Sequence, residues 1–392
     1  MNKKIKRTFL IVLDSVGAGA LSDADSFGDV GAFTLHSLHK SGKLCIENLR
    51  KLGIGNIKGL EFLSPAECPI GAFAKCAEQS MGKDTTIGHW EICGHISSAP
   101  LPTFPNGFPA KLTAALEARS GRKVICNKPY SGTDVICDFG EEHKRDGSLI
   151  LYTSADSVCQ IAAHTDVVSL DELYSICQYA RDFLTGELAV GRVIARPFAG
   201  EPGSFYRLPD RRDFSLVPPQ NLLPDAFCSA ELDSISVGKI YDIFAGRGFT
   251  RSYPTHSNAE GMATLSMLQN TEFCGLCFAN LVDFDMVYGH RRDVLGYATA
   301  LNEFDKFIGE FISNMRDDDL LIITADHGCD PAFTKSTDHT REYTPLLIYS
   351  ADIVAENFGI RSTFADIAAT IAELFALDFT CSGTPILLNF KK

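Results

Sequence analysis

Three segments of this chain share a design that narrows its fold more than any other feature. "RTFLIVLD" (Arg7–Asp14), "CGLCFANLVDFD" (Cys274–Asp285) and "DDLLIITADHG" (Asp318–Gly328) each run an apolar stretch into an acid and then a loop. A segment apolar on both faces reads as a strand covered on both sides, as in a parallel sheet. Between the second and third segments, Val294, Ala298, Leu301, Phe304, Ile308 and Phe311 recur at helical spacing, which predicts an amphipathic helix. "STFADIAATIAELFAL" near the C-terminus predicts another, with Ser362 or Thr363 as its N-cap. Strands alternating with helices predict an α/β fold: a mostly parallel sheet flanked by helices. Such sheets bind ligands beyond the carboxyl ends of their strands. Asp14, Asp285 and Asp326 all fall there.

Two proline-rich stretches, "SSAPLPTFPNGFP" (97–109) and "SLVPPQNLLPDA" (215–226), interrupt this pattern. The region between them has its own strand-like segments, "GSLILYTSAD" and "VGRVIARPF", and a helical one, "SLDELYSICQYARDFL". The predicted organisation is a discontinuous core, residues 1–100 and 220–392, with an inserted α+β cap domain at 101–219. A net charge of −13 without a long basic run argues against a nucleic-acid partner. The apolar run Phe9–Leu13 is too short for a secretory signal. No stretch approaches the roughly 20 apolar residues of a membrane span. The expectation is a soluble, cytoplasmic protein with no nucleic-acid, membrane or obligate protein partner. Thirteen cysteines in no regular framework predict reduced, buried thiols. Cys274 and Cys277 have redox spacing but sit in an apolar run, so they read as strand residues.

The chemistry lies in the loops. Asp14 follows the first strand; "DFDMVYGH" supplies Asp285 and His290; "ADHG" supplies Asp326 and His327; "TDHTRE" supplies His339. Each fragment alone is common. Three carboxylates and three imidazoles gathered on one sheet edge suit two metal ions. Asp326 and His327 are neighbours whose side chains would diverge in an extended loop. The preferred grouping gives one ion Asp14, Asp326 and His327, and the other Asp285, His290 and His339. Oxygen and nitrogen donors without thiolate suit Mn²⁺, Zn²⁺ or Mg²⁺, and the carboxylate share leans toward Mn²⁺. Paired cations can clamp a phosphoryl group. "MGKDTTIGHWEICGH" adds two adjacent threonines at a loop-to-helix junction, where free N–H groups favour phosphate. A cation would stabilise a threonine alkoxide without a neighbouring base. Asp84 could equally serve only as a helix cap.

"FLIVLDSVGAG", "GKDTTIGHWE", "FANLVDFDMVYGHRRD", "ITADHGCDP" and "TDHTREYTPLLIY" together resemble the phosphopentomutases. That family belongs to the alkaline phosphatase superfamily and is related to cofactor-independent phosphoglycerate mutases. The likeness runs from residue 9 to about 350. It implies an alkaline-phosphatase-like core and the interconversion of ribose 1-phosphate and ribose 5-phosphate and their 2-deoxy forms. It implies Thr85 as the covalent phosphoryl carrier and as an added metal ligand. It also implies two Mn²⁺ ions, with other divalent ions able to substitute, and priming by a sugar 1,6- or 1,5-bisphosphate. The chain departs from the family pattern at Thr86 and Ile87, at Cys329, where Asn is usual, and in a longer 330–339 segment.

On that reading the cap holds the phosphate that is not reacting. Arg192, Arg196 and Arg207 are the candidates, because guanidinium forks match phosphate oxygens. Asp156 and Ser154 could meet the sugar hydroxyls, and Lys83 and Lys239 are weaker candidates. The rival reading is a metal-dependent phosphatase or phosphodiesterase of the same superfamily, with water as acceptor. A non-catalytic metal-binding module is a third, which the full set of ligands disfavours.

Overall fold

The computed structural model describes residues 5–154, 156–219, 221–336 and 338–391. By compactness the chain divides into two units: Met1–Pro100 with Pro218–Lys392, and Leu101–Val217.

The first unit is built on an eight-stranded sheet. Its order is Arg251–Tyr253, Asp233–Val237, Gly275–Leu281, Arg7–Leu13, Asp319–Thr324, Thr344–Tyr349, Ala72–Cys76 and Asn357–Arg361. Of these only Thr344–Tyr349 runs against the rest, so the predicted mostly parallel α/β sheet is observed. The three apolar runs lie side by side at its centre, and all their strand residues are buried. In register, Leu13 pairs with Leu281 and Val12 with Thr324. The central strands therefore end together, and their following loops open on one edge.

The helix Val294–Ser313 starts where the Asp293 side chain accepts the Gly296 N–H. It buries Tyr297, Leu301, Phe304, Ile308 and Phe311 against Phe9, Ile11 and Leu13 of the central strand. Fully burying each such side chain is worth about 1.5–3 kcal/mol, which ties the helix to the strand that carries Asp14. The C-terminal helix, Ala365–Phe375, departs from expectation at its start. Phe364 holds the cap position without a side-chain bond. The Thr363 hydroxyl accepts from the Ala365 N–H and donates to the buried Glu91 carboxylate instead.

The second unit has a six-stranded mixed sheet, in which Val124–Pro129, Leu149–Thr153, Val158–His164, Arg192–Ala199 and Tyr206–Arg207 lie in that order and Arg212–Ser215 pairs with Arg192–Ala199. The helix Leu170–Phe183 packs Leu173, Ile176, Cys177 and Ala180 onto it. Its N-cap is Ser169, whose hydroxyl accepts from the Glu172 N–H.

All thirteen cysteines are free, but not all are buried. Cys277 is a buried strand residue, whereas Cys274 is exposed just before the strand. Among the described residues no helix is long and apolar enough to cross a membrane.

Candidate metal centre and nucleophile

Asp14 leaves the central strand through a sharp turn at Ser15, whose φ of 71° is left-handed. A non-glycine residue there stores about 1–3 kcal/mol of strain. The turn aims the Ser15 N–H at Asp326 Oδ1, 3.2 Å away, and its hydroxyl at Tyr297 Oη, 3.0 Å away. Asp285 stands beyond its strand end, in a π-helical turn, Phe284–Gly289. The His290 N–H donates to the Asp285 carbonyl at 3.1 Å, closing that wide turn. Such turns recur at functional sites because they swing two side chains to one side. Here His290 Nε2 comes within 3.1 Å of Asp285 Oδ2.

The six expected acid and imidazole residues converge. His327 Nε2 lies 3.5 Å from Asp14 Oδ1 and 3.2 Å from Asp326 Oδ2. Asp326 and His327 thus face one another rather than diverging, because the backbone turns between them instead of running extended. Asp285, His290 and His339 form the second cluster, with His339 Nε2 3.5 Å from Asp285 Oδ1 and 3.1 Å from His290 Nε2. The His327 and His339 rings stack at 3.9 Å, so the clusters adjoin. His339 Nδ1 sits 2.8 Å from the Lys83 carbonyl. That contact leaves Nε2 facing the cluster. Cys329 also enters: its thiol lies near ligand atoms of Asp285 and His290. A thiol therefore borders the oxygen and nitrogen donors that the sequence suggested. Burial pushes that thiol well up.

Asp84 caps the helix Thr85–Ile92 by accepting the Ile87 N–H at 3.1 Å. Thr85 becomes the first helical residue, with its hydroxyl 3.1 Å from His327 Nε2. Thr86 lies half-buried one position further on. Ile87 is buried in the core. The helix comes close to the site because position 88 is glycine: a Cβ there would lie 2.2 Å from the Asp326 carbonyl oxygen.

Asp14, Asp326 and His327 are 0–1 % exposed, and Asp285 is 7 % exposed. Asp14 Oδ1, Asp285 Oδ1 and Asp326 Oδ2 are buried without a hydrogen bond. Burial drives the Asp14 carboxyl up to about 6, with the charges of Asp326 and Asp285 adding to the effect. Burial pushes the other two acids the same way, but imidazoles prevail. His339 and His290 hold Asp285 well below the usual carboxylate range, and His327 does so for Asp326. Burial disfavours a charged His327, yet the Asp326 carboxylate raises it well above an ordinary histidine. Carboxylate oxygens that accept no hydrogen bond in a dry site are costly unless cations compensate them. The orphaned oxygens and the oxygen–nitrogen donors fit divalent cations.

Other expected residues have different surroundings. Lys83 pairs with Asp29 at 3.0 Å, and the Lys239 charge acts to lower the Asp14 carboxyl. In the second unit, Arg192 lies 3.5 Å from Asp213, which also pairs with Arg211. Arg196 is half-buried and donates to Gln160 Oε1. Arg207 is exposed and donates to the Gly132 carbonyl and the Thr133 hydroxyl. Ser154 Oγ lies 3.4 Å from Asp156 Oδ2.

Sequence reasoning missed three buried residues around this centre. Asn280 donates to Asp14 Oδ2 at 3.0 Å, and His89 reaches the Thr85 carbonyl at 2.8 Å. Arg341, 1 % exposed, binds Glu78, Asp23 and the Gly82 carbonyl, bracing the segment that carries His339. An asparagine inside the apolar run "CFANLV" was the one available signal.

The chain matches the family model described as Metalloenzyme superfamily over residues 225–379, which span Asp285, His290, Asp326, His327 and His339. The phosphopentomutase of Lachnoclostridium phytofermentans is 52% identical over 390 residues, covering 99% of this chain and 100% of that one. The phosphopentomutase of Caldanaerobacter subterraneus subsp. tengcongensis is 53% identical over 385 residues, covering 98% of each. A solved phosphoglycerate mutase from Leishmania mexicana aligns with a TM-score of 0.49 at 12% identity, over 100% of this chain and 99% of that one. The metalloenzyme match and the clustered acids and imidazoles make this chain a divalent-metal-dependent enzyme. By its near-full-length likeness to curated mutases, the chain belongs to the phosphopentomutase family, whose members are isomerases.

Proposed function

We propose that the chain interconverts ribose 1-phosphate and ribose 5-phosphate, and their 2-deoxy forms, with Thr85 as phosphoryl carrier. The observation that carries this reading is the Thr85 hydroxyl, 3.1 Å from His327 Nε2, in a cluster with three buried carboxylate oxygens that accept no hydrogen bond. Asp14, Asp326, His327 and Thr85 would hold one divalent cation, and Asp285, His290 and His339 the other. The carboxylate share of these donors favours Mn²⁺. When bound, the cations supply charge neutralisation for the phosphoryl oxygens and for the threonine oxygen.

The chain's own residues do the rest. Asp84 holds the first helical turn, so that Thr85 presents its oxygen at a helix N-terminus, where N–H groups favour phosphate. A sugar 1,6- or 1,5-bisphosphate primes Thr85. The 5-hydroxyl of a pentose 1-phosphate then takes the phosphoryl group. A P–O bond forms to the sugar, the P–Oγ bond to Thr85 breaks, and the sugar's hydroxyl proton is balanced by one gained at Thr85. The resulting 1,5-bisphosphate turns end for end and returns its other phosphoryl group to Thr85. Arg192, Arg196 and Arg207 hold the phosphate that is not reacting, and Ser154 and Asp156 meet sugar hydroxyls. Positioning and charge neutralisation dominate such transfers. Free thiols throughout the chain support a reducing, cytoplasmic setting.

The test is an assay with ribose 1-phosphate, Mn²⁺ and a catalytic amount of sugar bisphosphate. Ribose 5-phosphate in large excess over free phosphate is the expected result. Free phosphate as the main product would replace the mutase with a phosphatase.

A further inference from the structure

Asn280 is a polar residue in a strand buried from end to end. Its side-chain nitrogen lies 3.0 Å from Asp14 Oδ2 and 3.1 Å from His89 Nε2. The opposite amide orientation would set its oxygen against the Asp14 carboxylate, so the nitrogen faces Asp14. One of its two hydrogens goes to Asp14 and the other to His89. His89 Nε2 therefore accepts, and the imidazole proton sits on Nδ1. That nitrogen lies 2.8 Å from the Thr85 carbonyl oxygen and 3.1 Å from Asp326 Oδ2, the latter outside hydrogen-bond geometry. His89 is 0 % exposed and Asn280 1 %.

We propose that Asn280 and His89 are positioning residues that join the Asp14 carboxylate to the backbone of Thr85 and so fix how the Thr85 hydroxyl faces the metal-binding cluster. This rests on the reading of Thr85 as phosphoryl carrier. Packing alone does not account for the pair. Asn280 Oδ1 is buried without a hydrogen bond, a cost that an apolar residue of similar size would avoid. The amide is retained for its two donors. Donation runs outward from it in both directions, to the carboxylate and through one imidazole tautomer to the Thr85 carbonyl. Both residues act on Thr85 through its backbone.

The first measurement uses the wild-type chain carrying ¹⁵N-labelled histidine. His89 is expected to give the signature of a neutral Nδ1–H imidazole. An Nε2–H or doubly protonated His89 would overturn the relay, whatever any variant does. The second is a cycle of Asn280→Leu, His89→Leu and the double variant, each with its bound cation counted. Each single change is expected to lower kcat by roughly 100-fold, the scale of a small misplacement of reacting groups. KM should change little and cation content should stay full. The double variant is expected to be no slower than the slower single, because both break one connection. Losses that multiply, or kcat left intact, would overturn the proposal. Labelling of wild-type protein and Thr85→Ala by ³²P bisphosphate separates the two readings: label persisting in Thr85→Ala rejects the carrier, not the tautomer. Should the leucine variants fail to fold, the tautomer measurement decides alone.

Discussion

Gly88 packs so tightly on Asp326 that an added Cβ would lie 2.2 Å from the Asp326 carbonyl oxygen. The helix that carries Thr85 therefore reaches the cluster of acids and imidazoles only by lacking a side chain at its contact point. Gly88→Ala should move the helix outward and lower kcat by roughly 100-fold, because reacting groups tolerate little displacement. Steady-state kinetics on the folded variant, with cation content measured alongside, checks this.

Cation binding should strengthen as pH rises, since ligands must lose their protons first. In the cation-free chain burial and neighbouring carboxylates push the Asp14 carboxyl up to about 6, and Asp326 raises His327 well above an ordinary histidine. For Asp14 the sign follows from the raised value. The protonated carboxyl favours the folded cation-free chain, and that preference fades as pH climbs from 3.8 to about 6. Calorimetric titration with Mn²⁺ in buffers of different ionisation heat should show proton release: from Asp14 below about pH 6, and from His327 at neutral pH.

Stability and activity should separate along the central strand. At its start Arg7 forms a two-point bond with Asp319, both distances 2.7 Å, with the side chains 1 % and 0 % exposed. The pair lies at the sheet end opposite the catalytic loops. Asp319→Leu should cost about 3–5 kcal/mol by leaving a buried guanidinium uncompensated. Urea unfolding measures the loss, and kcat per folded molecule should be unchanged.

Arg341 should behave differently, because it braces the segment holding His339. It is paired with Glu78 at 2.8 Å, with both side chains 1 % exposed. Arg341→Met should destabilise the fold by a similar amount and also weaken cation binding. Cation content after dialysis, compared with that of Asp319→Leu, distinguishes the two sites.

In the second unit the arginines should divide by exposure. Arg207 is exposed and bonded to a carbonyl and a hydroxyl, neither carrying a charge to match its own. Arg207→Ala should raise KM for the pentose phosphate by roughly tenfold or more, the worth of a charge-assisted hydrogen bond. Phosphorylation of Thr85 by the bisphosphate should still be detected in the variant.

The central sheet was legible because its signal is local. An apolar run closed by an acid names both a buried strand and the edge where ligands gather, and Asp14, Asp285 and Asp326 meet there. The convergence of the six acid and imidazole residues was legible for the same reason. What escaped depends on distance along the chain. Asn280 and His89 are partners across 191 positions, and Arg341 and Glu78 across 263. No periodicity announces such pairs. The turn that brings His327 toward Asp326 was also hidden, since neighbouring residues in a loop give no clue to backbone direction. Thr363 misled because its hydroxyl serves Glu91 in another helix as well as the chain beside it.

The most direct measurement is mass-spectrometric mapping of the phosphoryl group after the protein is incubated with sugar bisphosphate and Mn²⁺. The account predicts one modified site, Thr85, which disappears when the cations are chelated beforehand. A phosphoryl group on Thr86 or elsewhere, or modification of Thr85 that is indifferent to the cations, would contradict it.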